Sequence, residues 1–169
     1  MKLDPAKTYT VTIMTNCGKF AFKLDLKGSP KTSASFYSLV KRGFFDGLTF
    51  HRIAAGFVVQ GGDPNGDGSG GPGYKVVEPP PKKIQYVQGD VAMAKTQTDP
   101  SGASGSQFFI VTAANATQTA GLTPDYALLG KISSGMNVVK AIGALPTNPP
   151  GDGTPSPAVV MSKVTVTVS

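Results

Sequence analysis

Alternation of apolar and polar residues at both ends of the chain is the feature that most limits its fold. Residues 9–15 (YTVTIMT) and 19–26 (KFAFKLDL) alternate on either side of a turn sequence, Asn16-Cys17-Gly18, and residues 159–168 (VVMSKVTVTV) alternate near the other end. A period of two residues puts one set of side chains on a buried sheet face. The first two segments therefore predict a β-hairpin and the last a closing strand. If segments 9–15 and 159–168 pair, they close a barrel and remove exposed sheet edges.

Two other segments carry helix signals. Ser29 followed by Pro30 predicts a capped helix start, and Gly43 predicts its end. Residues 135–144 predict a second helix, closed by Pro146. The remaining pattern predicts short strands at 48–53, 57–60, 91–94, 107–112 and 127–132, a glycine- and proline-rich loop at 61–83, and a looser segment at 113–125.

No segment repeats, and no strand–helix–strand rhythm is visible. The pattern therefore favours an antiparallel barrel or sandwich. At 169 residues the chain is expected to form a single domain over 1–169, with residues 1–7 as a loose N-terminal extension.

Composition excludes several functional classes. The net charge is +6, but the only adjacent basic pairs are Lys41-Arg42 and Lys82-Lys83, so a nucleic-acid partner is not expected. No apolar run is long enough to span a bilayer. The chain has one histidine, His51, and one cysteine, Cys17, which are too few for the usual zinc sites. A histidine-based triad is not expected either, because the position of His51 next to Arg52 on a strand predicts a structural role for it. We therefore predict no metal and no cofactor.

Two motifs in the glycine-rich loop imitate ligand sites. Residues 66–71 satisfy the dinucleotide pattern GxGxxG, but Pro72 follows where a helix has to begin. Asp63, Asn65 and Asp67 match the first half of a calcium loop, whose twelfth position is Tyr74 instead of glutamate. Neither motif has the surroundings that its ligand requires.

The segment FHRIAAGFVVQGGD at 50–63 carries the strongest functional signal. It sets a single arginine, Arg52, close to Phe57, Val58 and Gln60, and the segment GSQFFI at 105–110 supplies Phe109. One fixed cation beside an apolar slot suits an apolar substrate that carries one carbonyl. Alternation puts Phe108 and Phe109 on opposite faces of their strand, so that one fills the core and the other lines a pocket. By the same rule His51 points away from Arg52 and is interpreted as structural.

These two motifs, in this order and separation, closely resemble those of cyclophilins, the peptidyl-prolyl isomerases. The likeness covers residues 8–168 and includes the VAMA, ALLGKI and GMNVVKAI segments. It implies a mainly β fold: a closed eight-stranded antiparallel β-barrel capped by two α-helices, with substrate bound on the outer face of the barrel.

The resemblance also implies a role for individual residues. Arg52 falls on the catalytic arginine, Gln60 lies beside it, and Ala94, Lys95 and Thr96 match the segment that binds the substrate backbone. The catalytic set implied is Arg52, Phe57, Gln60 and Phe109, and the substrate-binding set is Val58, Ala94, Lys95, Thr96, Leu122 and Tyr126.

The chain departs from the family at several positions. Val58 stands where methionine is frequent, Lys95 and Thr96 replace asparagine and alanine, and Tyr126 occupies a place often held by histidine. The aromatic residue that many members carry before the pocket leucine is missing, and Gly121 stands nearest. The chain has no tryptophan, so weak cyclosporin binding is expected.

The activity implied is rotation about X–Pro bonds, on proline-containing peptides and unfolded protein clients. The alternative is a binding module or chaperone of the same fold with weak turnover. A monomer is expected, in the cytoplasm by default. The opposing hypothesis is an exported or membrane-anchored domain trimmed of its signal segment, because residues 1–5 read like the end of a polar linker.

Overall fold

The computed structural model describes the whole chain, residues 1–169. Its three helices are α1 Pro30–Lys41, α2 Ala116–Thr119 and α3 Met136–Gly143. Its strands, in chain order, are β1 Tyr9–Thr15, β2 Gly18–Leu24, β3 Arg52–Ala54, β4 Val58–Gly61, β5 Val76–Val77, β6 Asp90–Met93, β7 Ala103–Ser104, β8 Phe108–Val111, β9 Leu128–Ser134, β10 Thr147–Asn148, β11 Asp152–Pro155 and β12 Met161–Val168.

Ten of these strands form one antiparallel sheet in the order β10-β11-β3-β4-β8-β6-β9-β2-β1-β12, and β5 pairs separately with β7. The first hairpin, β1–β2, confirms the sequence prediction. The two chain ends also pair as predicted, because β12 lies beside β1 with Tyr9 opposite Val168 and Ile13 opposite Val164. The fold is therefore mainly β, with few helices.

The two ends of the ten-stranded order come close at one place. Thr49 and Val160 form an isolated bridge, and backbone hydrogen bonds run from Phe50 N–H to the Val159 carbonyl at 3.0 Å and from Met161 N–H to the Leu48 carbonyl at 2.8 Å. The predicted strand 48–53 is thus shorter than expected, because residues 48–50 bond to the start of β12 and only Arg52–Ala54 joins β4. The strands number ten in this order, whereas the resemblance implies eight in a closed barrel.

Helix α1 begins as predicted at Pro30, but its capping differs from the sequence prediction. The Ser29 side chain makes no capping bond. The Glu78 carboxylate, from the glycine-rich loop, accepts hydrogen bonds from Lys31 N–H at 3.2 Å and Thr32 N–H at 2.8 Å. A carboxylate at a helix N-terminus accepts hydrogen bonds from the free amides and interacts favourably with the positive end of the helix dipole. This contact ties the long loop to the body of the domain.

Helix α2 is one that the sequence pattern does not predict. It occupies a single turn inside the looser segment 113–125, where the Asn115 side chain accepts a hydrogen bond from Gln118 N–H at 3.1 Å. None of the helices has the length and apolarity needed to cross a membrane.

The main core lies between the inner face of the sheet and helices α1 and α3. Its centre is aromatic: the Phe36 and Phe45 rings stack at 4.6 Å, and Phe108 meets Phe36 edge-on at 5.6 Å. The segment 1–7, expected to be loose, contributes to this core through Leu3, whose side chain is buried there. Aromatic burial of this extent supplies much of the driving force for folding.

A second, smaller apolar cluster lies on the opposite face of β4, β6 and β8. It contains Val58, Tyr86 and Phe109, with Phe57 and Leu122 packed at its edge. Phe108 belongs to the main core and Phe109 to this second cluster, which confirms the prediction that they point to opposite faces. The sheet therefore has two apolar sides, and the second one carries the candidate site.

Candidate active site

A cavity of about 480 Å³ opens over the second cluster. Of the residues that the sequence singles out, it is lined by Arg52, Phe57, Val58, Gln60, Ala94, Lys95, Phe109, Leu122 and Tyr126. Thr96 is the exception, because it lines an adjacent cavity of about 640 Å³. Gln60, Ala94 and Lys95 border both cavities, so the two form a continuous groove.

Sheet register explains why the central residues meet. Arg52 on β3 lies opposite Gln60 on β4, and Gln60 lies opposite Phe109 on β8. Directly opposed residues on neighbouring antiparallel strands project to the same face with Cβ atoms about 4.5–5.5 Å apart. The register between β3, β4 and β8 therefore places the arginine, the amide and the aromatic ring in one row across three strands.

The Arg52 guanidinium is held from two sides. Its Nη1 donates to Oε1 of Gln60 at 3.2 Å, while Nε and Nη2 donate to the two carboxylate oxygens of Asp152 at 2.7 Å each. The hydrogen bonds between Arg52 and Asp152 raise the pKa of Arg52 and lower the pKa of Asp152 below its ordinary value, although partial burial opposes both shifts. Arg52 is thus charged and fixed in orientation.

Gln60 is itself held in place by a further amide. Its Nε2 donates to Oε1 of Gln107 at 3.1 Å, and Gln107 donates to the carbonyls of Gly68 at 2.8 Å and Gly70 at 3.0 Å. This chain connects the arginine to the glycine-rich loop. Fixed polar groups of this kind cost little reorganisation when a substrate binds.

The apolar wall of the cavity is nearly dry. Phe109 is 4% exposed and Val58 is 3% exposed. The Tyr126 ring meets the Phe109 ring edge-on, with centroids 5.4 Å apart. The wall lies within the same cavity as the Arg52 guanidinium.

Lys95 lines the cavity, but its ammonium is already occupied. Its side chain is 5% exposed, pairs with the Asp125 carboxylate at 2.7 Å and donates to the carbonyls of Thr96 and Asp99 at 3.3 Å. The ammonium also lies 5.6 Å from the centroid of the Tyr126 ring. The hydrogen bond from Lys95 lowers the pKa of Asp125. This lysine therefore joins two walls of the cavity instead of presenting a free cation to it.

Two residues that support the site were not predicted from the sequence. Asp152 is one of them. The other is Tyr86, which is fully buried; its hydroxyl donates to the Tyr126 carbonyl at 2.6 Å and accepts from Tyr126 N–H at 3.1 Å. Burial raises the pKa of Tyr86 to about 12. No local motif marks either residue, because each acts on a partner at least 40 positions away.

His51 is buried, as expected for a structural residue, yet it also borders the cavity beside Gly66 and Asp67. Burial lowers the pKa of its imidazole, partly opposed by the negative charge of Asp63. Nδ1 of His51 has no hydrogen-bond partner.

The calcium-like motif forms a compact turn. The Asp63 carboxylate accepts hydrogen bonds from the backbone N–H groups of Asn65 at 2.9 Å, of Asp67 at 3.0 Å, and of Gly68. Its oxygens therefore stabilise the loop that carries them.

A mainly β domain with one oriented guanidinium in a cavity that has a buried apolar wall is suited to binding an apolar peptide segment next to a fixed hydrogen-bond donor. Comparison with known proteins makes the class specific. Residues 10–166 match the family model described as "Cyclophilin type peptidyl-prolyl cis-trans isomerase/CLD".

Curated relatives carry the same name. A peptidyl-prolyl cis-trans isomerase of Helicobacter pylori is 37% identical over 154 residues, which cover 83% of this chain and 90% of the relative. Peptidyl-prolyl cis-trans isomerase B of Streptomyces anulatus is 35% identical, and the match covers 95% of this chain and 98% of the relative.

A solved structure agrees with them. The cyclophilin type isomerase of Cryptosporidium parvum, crystallised in the presence of the dipeptide Ala-Pro, matches 94% of this chain and 98% of its own with a TM-score of 0.81 and 28% identity. The chain therefore belongs to the cyclophilin-type peptidyl-prolyl cis-trans isomerase family. It is an enzyme that catalyses rotation about X–Pro peptide bonds, a reaction that needs no cofactor.

Proposed function

We propose that isomerisation takes place in the 480 Å³ cavity, with the proline ring against Phe57, Phe109 and Leu122 and the amide beside Arg52. The observation that carries this proposal is the row of Arg52, Gln60 and Phe109 across three neighbouring strands. It sets one charged donor next to a buried apolar wall, which are the two features that an X–Pro amide requires.

The chemistry needs no bond to break. Rotation about a peptide bond has a barrier of ~18–20 kcal/mol because of partial double-bond character. In the twisted amide the prolyl nitrogen becomes pyramidal and gains a lone pair, which an Arg52 N–H can bind more strongly than it binds the planar ground state. An acceleration of about five decades corresponds to roughly 7 kcal/mol of such differential binding.

The charge of Arg52 and the buried apolar wall beside it support a contribution of this size. A hydrogen bond to a charged donor is stronger than a neutral one, and it gains further where water is excluded. Phe109 and Val58 provide the water-excluding wall. Arg52 comes with its orientation already set by Gln60 and Asp152, so little reorganisation is required.

The substrate class follows from the same cavity. The Cryptosporidium relative was crystallised in the presence of a proline dipeptide, and we propose that proline-containing peptides and unfolded clients occupy the corresponding groove here. Ala94, Lys95 and Thr96 are proposed to contact the peptide through the groove that continues toward Gln107. The competing function is a binding module with weak turnover. Lys95 is the feature that favours it, because Lys95 differs from the usual residue of the family and its ion pair with Asp125 joins the walls of the cavity.

The test is to replace Arg52 and measure exchange of an X–Pro peptide by NMR. We expect Arg52→Ala to lower kcat/KM by roughly two to three decades, the usual loss for one preorganised donor. Arg52→Lys should restore only part of the activity, since an ammonium lacks the planar fork that Asp152 and Gln60 hold.

Arg42→Ala is the matched control, because Arg42 is the chain's other arginine and lies at the end of α1. It removes the same charge away from the cavity and should leave turnover unchanged. A folded Arg52→Ala protein with wild-type turnover would reject Arg52 as the catalytic group. A wild-type protein that binds the peptide with negligible exchange would favour the binding module.

We also propose that cyclosporin binds weakly. The chain has no tryptophan, and near the pocket leucine Gly121 has a φ of 65° and no atom within 4 Å of the place that a Cβ would occupy. A large side chain rarely adopts that backbone conformation, so the missing aromatic contact has no substitute at this position. The expected result is little inhibition at a stoichiometric drug concentration; complete inhibition there would contradict it.

We also propose that the sheet closes into a barrel and that the protein is a monomer. Support for closure comes from the backbone hydrogen bonds that join residues 47–50 to residues 159–161. The monomeric state and the cytoplasmic location stay predictions.

A further inference from the structure

The contact between Asp152 and Arg52 is a two-point ion pair within the candidate site. Both carboxylate oxygens accept from the same edge of the guanidinium, Nε and Nη2, at 2.7 Å. This side-on arrangement fixes the plane of the guanidinium as well as its position. Gln60 adds a third hydrogen bond, from Nη1.

The carboxylate is held in place by the sheet. Asp152 begins β11, which pairs with β3 so that Asp152 lies opposite Ala54 and Gly153 opposite Ile53. Backbone pairing between these strands sets the distance from Asp152 to Arg52, two positions before Ala54. The following strand pair, β10–β11, continues the sheet on the other side.

The number of donors shows what this pairing leaves available. A guanidinium has five N–H bonds. Asp152 takes two and Gln60 takes one. One N–H on Nη1 and one on Nη2 remain for a substrate, and both have a direction that Asp152 determines.

We propose that Asp152 is a positioning residue for turnover, acting through Arg52. The proposal rests on the catalytic role of Arg52 proposed above. Without the carboxylate, a flexible arginine stem would keep only the neutral hydrogen bond to Gln60, and the guanidinium would spend less time aligned with the amide. Stability is a poor readout of this role, because the Arg52 and Asp152 side chains are 39% and 53% exposed and exposed pairs stabilise folded proteins little.

A different effect of the same contact makes a contrary prediction. If the negative charge of Asp152 mainly weakened the electrostatic interaction of Arg52 with the twisted amide, removing the carboxylate would raise kcat. The direction of the change in kcat therefore separates positioning from charge neutralisation.

The experiment compares Asp152→Ala, Asp152→Asn and Asp152→Glu by NMR exchange on a short X–Pro peptide. We expect Asp152→Ala to lower kcat about tenfold, with KM within a factor of two, because the lost alignment matters in the twisted state. Asp152→Asn should be intermediate, since its single oxygen accepts from one N–H only. Asp152→Glu, which keeps both acceptors, should recover part of the loss.

A double variant shows whether Asp152 acts through Arg52. In an Arg52→Ala background, adding Asp152→Ala should cause no further loss of kcat. A purely structural effect of Asp152 would persist in that background by the same factor. Asp46→Asn is the matched control: it removes one carboxylate of another ion pair, Asp46–Lys163 at 2.6 Å, outside the cavity, and should keep wild-type kcat.

Three results would overturn the inference: a kcat at or above wild type in Asp152→Ala, a change in KM alone, or a loss that persists unchanged without Arg52. Circular dichroism on each variant verifies folding, and if Asp152→Ala does not fold, the nearly isosteric Asp152→Asn decides the question. Failure of the proposed site itself gives a different signature, namely wild-type turnover in Arg52→Ala.

Discussion

The buried imidazole of His51 connects protonation to stability. Its side chain belongs to a residue only 8% exposed, and its Nδ1 has no partner. Burial is the main cause of its lowered pKa; Arg52 lowers it further, while the carboxylates of Asp63 and Asp67 oppose the shift. The neutral form is therefore preferred in the folded protein.

The sign of the resulting pH dependence follows from linkage. In the unfolded chain the imidazole has a pKa of 6.5, and in the folded protein the pKa is lower. Between these two values the unfolded state binds more protons, so the free energy of unfolding rises with pH. The stabilisation is complete above pH 6.5 and is lost as pH falls through the lower folded value.

We therefore expect the free energy of unfolding, measured with urea, to decrease from pH 7.5 to pH 5, the range in which an unperturbed histidine titrates. His51 is the only histidine, and the carboxylates with lowered pKa, such as Asp99 at about 2, titrate at lower pH. His51→Gln removes the titrating group and should flatten this range. Equal slopes in the two proteins would show that another group is responsible.

At the scale of a single element, two adjacent residues of β8 have different roles: one contributes to the stability of the core and the other to the binding site. Phe108 packs in the main core against Phe36, Phe45 and Phe50. Phe109 lies on the other face and lines the cavity. One strand thus serves the interior and the site, through a pleat that reverses direction at every residue.

Matched alanine variants test this division. Phe108→Ala should lower the free energy of unfolding by about 3–5 kcal/mol, the range for removing a fully buried phenylalanine. Phe109→Ala should be less costly to stability, because Phe109 packs in the smaller of the two apolar clusters, and should weaken peptide binding by roughly tenfold, about 1.4 kcal/mol of lost contact. Urea unfolding and NMR peptide titration measure the two effects. Equal losses of stability, with peptide affinity unchanged in Phe109→Ala, would contradict the assignment.

The loops on either side of the cavity depend on cross-links between elements. Lys95 joins the end of β6 to Asp125 and Tyr126, and Tyr86 holds the backbone of Tyr126 from behind. Side chains from three separate segments therefore set the position of one aromatic wall. These contacts account for the order of a segment that carries little secondary structure of its own.

At the scale of the whole molecule, the fold depends on pairing between the two ends of the chain. β1 and β12 pair along their full length from Tyr9–Val168 to Thr15–Met161, with an irregularity after Met14. Residues separated by most of the chain must therefore meet before the core is complete. Such long-range closure is expensive in chain entropy and typically slows folding.

Substitutions on the two faces of β12 should differ sharply in their effect on the stability of the folded protein. Val164 is 3% exposed and lies opposite Ile13, whereas the next residue, Thr165, is exposed and lies opposite Thr12. We expect Val164→Asp to abolish cooperative unfolding, because it buries an unpaired carboxylate in the core. Thr165→Asp adds the same charge on the solvent side and should change stability by less than about 1 kcal/mol. A thermal melt followed by circular dichroism gives the result, and a stable Val164→Asp protein would show that end pairing is dispensable.

Features with a local physical cause could be predicted from the sequence. Alternation produced the first hairpin, the closing strand and the opposed faces of Phe108 and Phe109. The resemblance carried by the motif around Arg52 indicated that Gln60 and Phe109 belong to the same site, and the sheet register of the structure sets the three residues in one row. Pro30 and Gly43 bounded α1 for the same kind of local reason.

The tertiary structure alone decided which distant side chains complete the site. Asp152 reaches Arg52 across 100 positions, Glu78 caps α1 in place of Ser29, and Lys95 is bound by Asp125. These contacts have no period and no short motif, since each depends on where two separate backbones lie after the sheet has formed. The sequence by itself determined the longer strands, helices α1 and α3, and the face of its strand to which each of their residues points. The partners that orient those residues were decided by the packing of segments far apart in the chain, because a side-chain hydrogen bond depends on distance and direction in space and leaves no periodic trace along the chain.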